Sequence, residues 1–177
     1  LKYLEILKKE VTRIYSDISQ GSEKFEINYI SGVSKKISAE NTHDFIKNEI
    51  FSKLEKSYQS DIKSGYTSFG SHKDELEILI DEKKARLFGS QGQRRSAALC
   101  LKLAEANILK NFSGESPVIL LDDVMSELDE YRRDYLISKI TGSQVFITDC
   151  SLSVSEKFSN VKLFKPESGA ISEVSKF

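Results

Sequence analysis

The most informative segment of the chain reads Pro-Val-Ile-Leu-Leu-Asp-Asp-Val-Met-Ser-Glu-Leu-Asp, at residues 117–129. Its apolar residues, 118–121, are typical of a short central strand that is buried on both faces. The strand ends at two carboxylates, Asp122 and Asp123. Because ligands of open α/β sheets bind beyond the carboxyl ends of the strands, these carboxylates stand where a functional group is expected.

The sequence on either side of this segment predicts an α/β fold. Before it, apolar residues recur at helical spacing over about residues 92–111. After it, Asp129 is placed to cap a helix that ends near Gly142, and a second buried strand at 145–147 ends at Thr148. Strand, helix and strand in this order indicate βαβ units and a mostly parallel sheet.

The first half of the chain carries shorter patterns. Residues 1–18 repeat apolar side chains at three- and four-residue spacing, which predicts an amphipathic helix. A half-buried strand is expected at residues 25–29 and a second helix from Asn41. A further strand at 76–80 is expected to turn into a short strand that ends near Phe88.

The composition excludes several classes of protein. The length of 177 residues predicts one domain, or one domain with an appendage. The net charge of −1 argues against a uniformly basic nucleic-acid-binding protein or a polybasic membrane-surface protein. Cys100 and Cys150 are too few for a disulfide framework or a CxxC metal site, which favours a reducing compartment. We therefore expect a cytoplasmic location.

The two carboxylates have a functional and an ordinary interpretation. Asp122 is placed to hold Mg²⁺, directly or through water, and so to neutralise phosphate charge. Asp123 points to the other side of an extended chain and is placed to orient or deprotonate an attacking water. In the ordinary interpretation both residues begin a loop and cap a turn.

A second candidate is the glycine-containing segment Ser-Gln-Gly-Gln at residues 90–93, which leads into the predicted helix. Such a segment lets the backbone approach an anion closely, and the N–H groups of the first helical turn favour phosphate. Ser90 has an equally ordinary interpretation as a helix cap. Residues 126–129 read equally well as a helix start, and Thr148 as a strand end.

In order and spacing, these segments resemble the RecF family, in the SMC-like branch of ABC-type ATPases. Residues 90–93 resemble the signature motif, 118–123 the Walker B strand and 126–129 the D-loop, while Thr148 falls at the switch position. The resemblance covers most of the chain, most firmly from residue 66 to 148. The motifs that carry the resemblance are Gly70-Ser71-His72-Lys73-Asp74-Glu75-Leu76, Ser90-Gln91-Gly92-Gln93-Arg94-Arg95-Ser96 and residues 117–129.

The sequence departs from the resembled pattern in places. The usual Gly-Pro-His-Arg-Asp is here Gly-Ser-His-Lys-Asp at residues 70–74, so that Lys73 keeps the charge of Arg but loses its bidentate geometry. Gln91 and Asp123 differ from the generic ABC pattern, where Gly and Glu are usual, but RecF-like proteins share both changes.

The resemblance implies roles for individual residues. Two ABC-type heads sandwich two nucleotides, and each site takes its P-loop and Walker B from one subunit and its signature from the other. Asp122 would help to hold Mg²⁺, Asp123 would orient the hydrolytic water, and Thr148 would sense the γ-phosphate of ATP. The γ-phosphate on the opposite subunit would be contacted by Ser90, Gln91, Gly92 and Gln93. The two sites would be coupled by Ser126, Glu127, Leu128 and Asp129.

The function that the resemblance implies is DNA repair and replication, including the SOS response. The family dimerises with ATP on duplex DNA near single-strand gaps and helps RecO and RecR to load the recombinase RecA. The sequence itself offers three basic pairs as candidate DNA phosphate contacts, which read equally well as solvated faces or ion pairs. They are Lys35-Lys36, Arg94-Arg95 and Arg132-Arg133.

No GxxxxGK[ST] segment occurs in the sequence, so ATP hydrolysis is expected of a full-length protein and not of this chain alone. The first residue also lies within a helical pattern, which indicates a piece that begins within or just after a helical arm. We assign residues 1–60 to an arm remnant with a connecting strand. Residues 61–177 are assigned to the C-terminal part of an ATPase head, with a mostly parallel sheet and flanking helices.

Two alternatives stay open at this point. One is a different SMC-like ATPase or an ATPase of the overcoming-lysogenisation type. The other is an interaction module without any nucleotide role, in which the two aspartates only start a loop. His43 and His72 lack Cys or carboxylate partners at ligand spacing, and we interpret both as structural.

Overall fold

A computed structural model of the chain describes residues 2–35, 37–38, 40–150, 155, 157–158 and 160–174. The described chain forms two compact units, Leu1–Gly114 and Glu115–Phe177. The sequence predicts a division of the chain near residue 60, between a helical arm remnant and part of an ATPase head. That division stays a prediction.

In its described residues, the first unit combines four α-helices with a three-stranded antiparallel sheet in the order β1-β2-β3. Ile27 of the first strand lies opposite Ile78 of the second. The elements are α1 (Lys2–Ile18), β1 (Phe25–Ile30), α2 (His43–Ser64), a 3-10 turn (Ser71–Lys73), β2 (Glu75–Ile80), β3 (Lys83–Lys84), α3 (Ala85–Phe88) and α4 (Gln91–Ser113).

The core of the first unit forms where α1 packs against α4 and β1. The predicted amphipathic pattern of α1 is confirmed, since its buried residues Leu7, Val11, Ile14 and Ile18 share one face. Tyr15 is also fully buried, and its ring stacks on Phe25 with 4.3 Å between the ring centroids. This packing fixes α1 beside the start of the sheet.

The strand expected to end near Phe88 is shorter than predicted. Asp81 and Glu82 both have positive φ, which makes a tight hairpin turn. The strand that follows covers only Lys83–Lys84, and Ala85–Phe88 forms a short helix. Ala, Arg and Leu are strong helix formers, and the Gly89 N–H closes the turn on the carbonyl of Ala85 at 3.0 Å.

The second unit contains the predicted strand–helix–strand arrangement. β4 and β5 pair in parallel, from Ile119 opposite Val145 to Asp122 opposite Thr148, and the last two strands form a separate antiparallel hairpin. The elements are β4 (Ile119–Asp122), a 3-10 turn (Met125–Glu127), α5 (Glu130–Ile140), β5 (Val145–Thr148), β6 (Leu163–Glu167) and β7 (Ala170–Val174). Parallel pairing is confined to β4 and β5 among the described strands.

The expectation that this parallel pair is buried on both faces is wrong for the described chain. Burial alternates along β4 and β5, and the side chains of Leu120 and Phe146 are 73% and 56% exposed. A continuous apolar run indicates that both faces avoid water, but it does not say that the same chain covers both of them. None of the described helices is both long and apolar enough to cross a membrane.

Candidate functional site

The carboxyl ends of β4 and β5 bring three predicted site residues together. Thr148 is the register partner of Asp122, and its hydroxyl donates a hydrogen bond to Asp122 Oδ1 at 2.5 Å. The same hydroxyl accepts a hydrogen bond from the Asp123 N–H at 3.0 Å. Parallel pairing thus produces the contact, because the carboxyl ends of neighbouring parallel strands lie at one edge of a sheet.

Asp123 is held in an unusual backbone conformation. Its φ of 51° lies in the left-handed region, which Asp and Asn tolerate better than most residues. The Ser126 hydroxyl lies 2.8 Å from Asp123 Oδ1 and 3.0 Å from the carbonyl oxygen of Asp123. We call Asp122, Asp123, Ser126 and Thr148 the carboxylate cluster.

The donor atoms of the carboxylate cluster suit Mg²⁺. They are carboxylate and hydroxyl oxygens, the hard ligands that this ion prefers. The described residues contain no group of three or more His, Cys, Asp or Glu side chains that could hold a metal ion. A Mg²⁺ ion at Asp122 would therefore take its other ligands from water and phosphate, as Mg²⁺ often does in nucleotide sites.

The segment predicted as a D-loop forms a 3-10 turn followed by the start of α5. Leu128 is buried, whereas Ser126 and Glu127 are exposed. Asp129 caps α5 by accepting a hydrogen bond from the Arg132 N–H at 2.9 Å. This hydrogen bond and the Arg132 side chain lower the pKa of the Asp129 carboxyl. The predicted cap is confirmed.

Replacing the cap should destabilise the second unit. We expect Asp129→Ala to lower the free energy of unfolding by about 1 kcal/mol at neutral pH, a typical loss for a helix cap. Asp129→Asn retains a capping oxygen and serves as the matched control. Because folding lowers the pKa of Asp129, its contribution is complete above the unfolded pKa and fades as the pH falls through the folded value. Urea unfolding at pH 7 and pH 3 measures both effects, and an Ala variant as stable as wild type at pH 7 would contradict the capping role.

The signature-like residues 90–93 form the first turn of α4. The Gln93 N–H donates to Ser90 Oγ at 3.1 Å, and the Ser90 N–H donates to Gln93 Oε1 at 2.8 Å. This reciprocal pair is a capping box. The ordinary interpretation of Ser90 as a helix cap is therefore confirmed, and Gln91 and Gly92 lie exposed between the two capping residues.

The packing of the first unit does not require a glycine at position 92. A Cβ atom placed there would meet only Ser90 Oγ, at 3.9 Å, and the backbone does not have positive φ. Alanine is favoured over glycine in a helix by about 0.5–1 kcal/mol. The packing of the described chain therefore gives no reason for glycine instead of alanine at this position.

Asp74, the last residue of the Gly70–Asp74 motif, makes structural contacts. Its carboxylate accepts hydrogen bonds from the Tyr29 hydroxyl at 2.7 Å and from the Gly32 N–H at 2.8 Å, which connects the motif to the end of β1. Burial, followed by the bond to Asp74, raises the pKa of Tyr29. The His72 Nε2 atom lies 3.2 Å from the carbonyl oxygen of Thr67. Lys73 is exposed.

Several of the arginines named as candidate DNA contacts, or equally as ion-pair groups, bond within their own unit. Arg94 donates to the carbonyl of Gly89 at 3.1 Å and Arg133 to that of Leu128 at 3.2 Å, while Arg132 forms an ion pair with Asp129. Lys36 lies outside the described residues. These arginines therefore act at least partly as helix-end and ion-pair groups.

Sequence reasoning did not identify Glu23, which contacts the signature-like turn. Its Oε1 atom accepts a hydrogen bond from Gln93 Nε2 at 2.9 Å. The two residues are 70 positions apart. No local spacing or motif could have joined them, because the contact depends on how the first unit folds.

Sequence comparison relates the chain to RecF proteins, although no protein-family model matches it. It is 40% identical over 175 residues to the DNA replication and repair protein RecF of Clostridium acetobutylicum, and the match covers 98% of this chain and 46% of that protein. The RecF of Caldanaerobacter subterraneus subsp. tengcongensis is 44% identical over 152 residues, which cover 85% of this chain and 40% of the relative. The chain thus spans about half the length of the curated relatives that it matches.

Solved structures give the same relationship. The recombination mediator protein RecF of the RecFOR pathway, in its RecF-ATPrS structure, superimposes with a TM-score of 0.79 at 38% identity, over 98% of this chain and 45% of that one. The Smc head domain of Pyrococcus yayanosii shares the fold at a TM-score of 0.56 and 15% identity, over 98% of this chain and 27% of that one. These matches confirm the predicted α/β lobe of an ABC/SMC-like head and favour RecF over the other SMC-like ATPases. The chain belongs to the RecF family and corresponds to the C-terminal half of its members.

Proposed function

We propose that the chain supplies the Walker B, D-loop, switch and signature parts of a RecF-type ATPase. The observation that carries this proposal is the carboxylate cluster, in which Asp122, Asp123, Ser126 and Thr148 join in one hydrogen-bonded group at the edge of the parallel strands. Two segments that lie apart in the sequence, residues 117–129 and the end of β5, meet there. An interaction module without a nucleotide role would not need this meeting of oxygen ligands.

Within the cluster, each residue has a distinct proposed role. Asp122 would hold Mg²⁺, which would neutralise charge on the nucleotide phosphates. Asp123 would accept a proton from, or orient, the attacking water. Thr148 bonds to both neighbours in this structure, so sensing the γ-phosphate would require its hydroxyl to exchange Asp122 for a phosphate oxygen. Ser126 would hold the carboxylate of Asp123 in place.

The signature-like turn would act on a nucleotide held by a second subunit. The N–H groups of a first helical turn favour an anion, and the missing Cβ at Gly92 would let a phosphate approach the backbone closely. An interface that contains the γ-phosphate of the bound nucleotide would form with ATP and loosen after hydrolysis. We therefore propose ATP-dependent homodimerisation.

The biological setting follows from the family. RecF homologues are DNA replication and repair proteins, and a solved RecF belongs to the RecFOR pathway. We propose that the full-length protein dimerises on duplex or gapped DNA in the cytoplasm and cooperates with RecR and RecO in recombinase loading. ATP and Mg²⁺ would be its cofactors.

Sedimentation velocity of a full-length RecF protein that carries this sequence tests the proposal. We expect a dimer with Mg-ATP and a monomer with Mg-ADP. Ser90→Arg, which places a bulky cation in the signature-like turn, should keep ATP binding but prevent dimerisation. A wild-type protein that stays monomeric at micromolar concentration while it binds ATP would refute the sandwich.

Gly92→Ala should separate stability from function. We expect the variant to be as stable as wild type or up to about 1 kcal/mol more stable, because alanine favours the helix and its Cβ meets open space. ATP-dependent dimerisation should weaken, since the added methyl group stands where the phosphate would approach the backbone. Thermal unfolding and sedimentation of the same variant measure the two effects. Unchanged dimerisation would remove the proposed phosphate contact at this turn.

A further inference from the structure

A partly buried hydrogen-bond chain links helix α1 to the signature-like turn. Tyr15 is fully buried, and its hydroxyl donates to Glu23 Oε2 at 2.6 Å. The other carboxylate oxygen of Glu23 accepts from Gln93 Nε2 at 2.9 Å. Gln93 in turn accepts from the Ser90 N–H through its Oε1 atom. This series of hydrogen bonds therefore runs from the packed face of α1 to Ser90, the residue that caps α4.

Glu23 selects the orientation of the Gln93 amide. The capping box needs the amide oxygen to face the Ser90 N–H, while the amide NH₂ group must point elsewhere. A carboxylate accepts hydrogen bonds and cannot donate them, so Glu23 attracts the NH₂ group and repels the oxygen. If the amide were reversed, two donors would meet at Ser90 and two acceptors would meet at Glu23.

Tyr15 fixes Glu23 in turn. The Tyr15 ring is part of α1 and is held in place, because it stacks on Phe25 and is fully buried. Any displacement of α1 relative to α4 would therefore stretch the bonds of Glu23 and release the Gln93 amide. The carboxylate thereby connects the position of a packed helix to the geometry of an exposed turn.

We propose that Glu23 is a positioning residue for the signature-like turn, an inference that rests on the proposed function. The capping box occupies the N–H groups of Ser90 and Gln93. In the first turn, the N–H groups of Gln91 and Gly92 have no intrahelical acceptor and are left to face a phosphate. Glu23 holds these two groups in a fixed direction, and it makes the affinity between subunits depend on the placement of α1.

The test compares Glu23→Ala with Glu23→Gln in the full-length protein. The Gln variant can accept from Gln93 and donate to the Tyr15 oxygen, so it should restore what the Ala variant loses. We expect Glu23→Ala to raise amide hydrogen exchange at Ser90 and to weaken ATP-dependent dimerisation by about threefold to tenfold, the effect of losing the one hydrogen bond that orients the Gln93 amide. Glu23→Gln should stay within about twofold of wild type in both measurements.

Two controls separate positioning from general destabilisation. Glu26→Ala removes a nearby carboxylate that pairs with Lys24 and does not contact the turn. Ile14→Val loosens the same core without touching the hydrogen-bond chain. Both variants should dimerise like wild type, and equal weakening by Ile14→Val would overturn the proposal. If the wild-type protein does not dimerise at all, the proposed function fails, and unchanged exchange at Ser90 in Glu23→Ala would separately overturn the role of Glu23.

Discussion

Asp123→Asn in a full-length RecF protein that carries this sequence is expected to reduce ATP hydrolysis by about 10²- to 10⁴-fold, the usual contribution of a general base. The ATP-bound dimer should persist instead of dissociating, because the step that removes the γ-phosphate is blocked. Sedimentation with Mg-ATP over several hours, combined with phosphate release, measures both parts of the prediction.

The structure indicates that this variant will fold. Asn tolerates the left-handed backbone conformation at position 123 as well as Asp does. Its amide oxygen can still accept the hydrogen bond from Ser126, and the N–H of residue 123 can still donate to Thr148. The substitution therefore removes the negative charge and the basic oxygen while it retains the local geometry.

Asp134→Asn is the matched control, since it makes the same chemical change on α5, where Asp134 pairs with Lys157. It should leave hydrolysis unchanged. Normal hydrolysis by Asp123→Asn would remove Asp123 from the catalytic machinery. A full-length protein that binds no ATP would point instead to the nucleotide-independent interaction module.

The sequence could predict the carboxylate cluster because parallel pairing follows from local patterns. A strand, a helix and a strand fix which chain ends lie together, and this places Thr148 beside Asp122. The contact from Ser126 to Asp123 is different, since it depends on the positive φ of Asp123 and on the 3-10 turn that follows. Neither of these features has a periodic signal in the sequence.

Burial and long-range contacts were harder to predict. The apolar run of β4 indicated two covered faces, but Leu120 is exposed in the described chain. An apolar side chain is expected to avoid water, but its hydrophobicity does not identify the segment that covers it. Glu23 and Gln93 illustrate the same limit for polar groups, because their contact is set by tertiary packing across 70 positions.

Gly32→Ala is expected to lower the free energy of unfolding by about 3 kcal/mol, within the range for overpacking combined with a lost hydrogen bond to a charged group. A Cβ atom at position 32 would lie 2.5 Å from the carbonyl carbon of Lys73 and 2.6 Å from its oxygen. Backbone atoms cannot move aside as a flexible side chain can. The Gly70–Asp74 motif would therefore have to separate from the end of β1.

That separation would break the hydrogen bond from the Gly32 N–H to Asp74. For a chain of this size, we expect the melting temperature to fall by about 6–12 °C, and circular dichroism measures this directly. Gly92→Ala, the same substitution in open space, is the control and should not melt earlier. If Gly32→Ala melted with wild type, the close approach of Lys73 would be refuted. A large loss would show that residues 70–74 pack closely against the chain that follows β1.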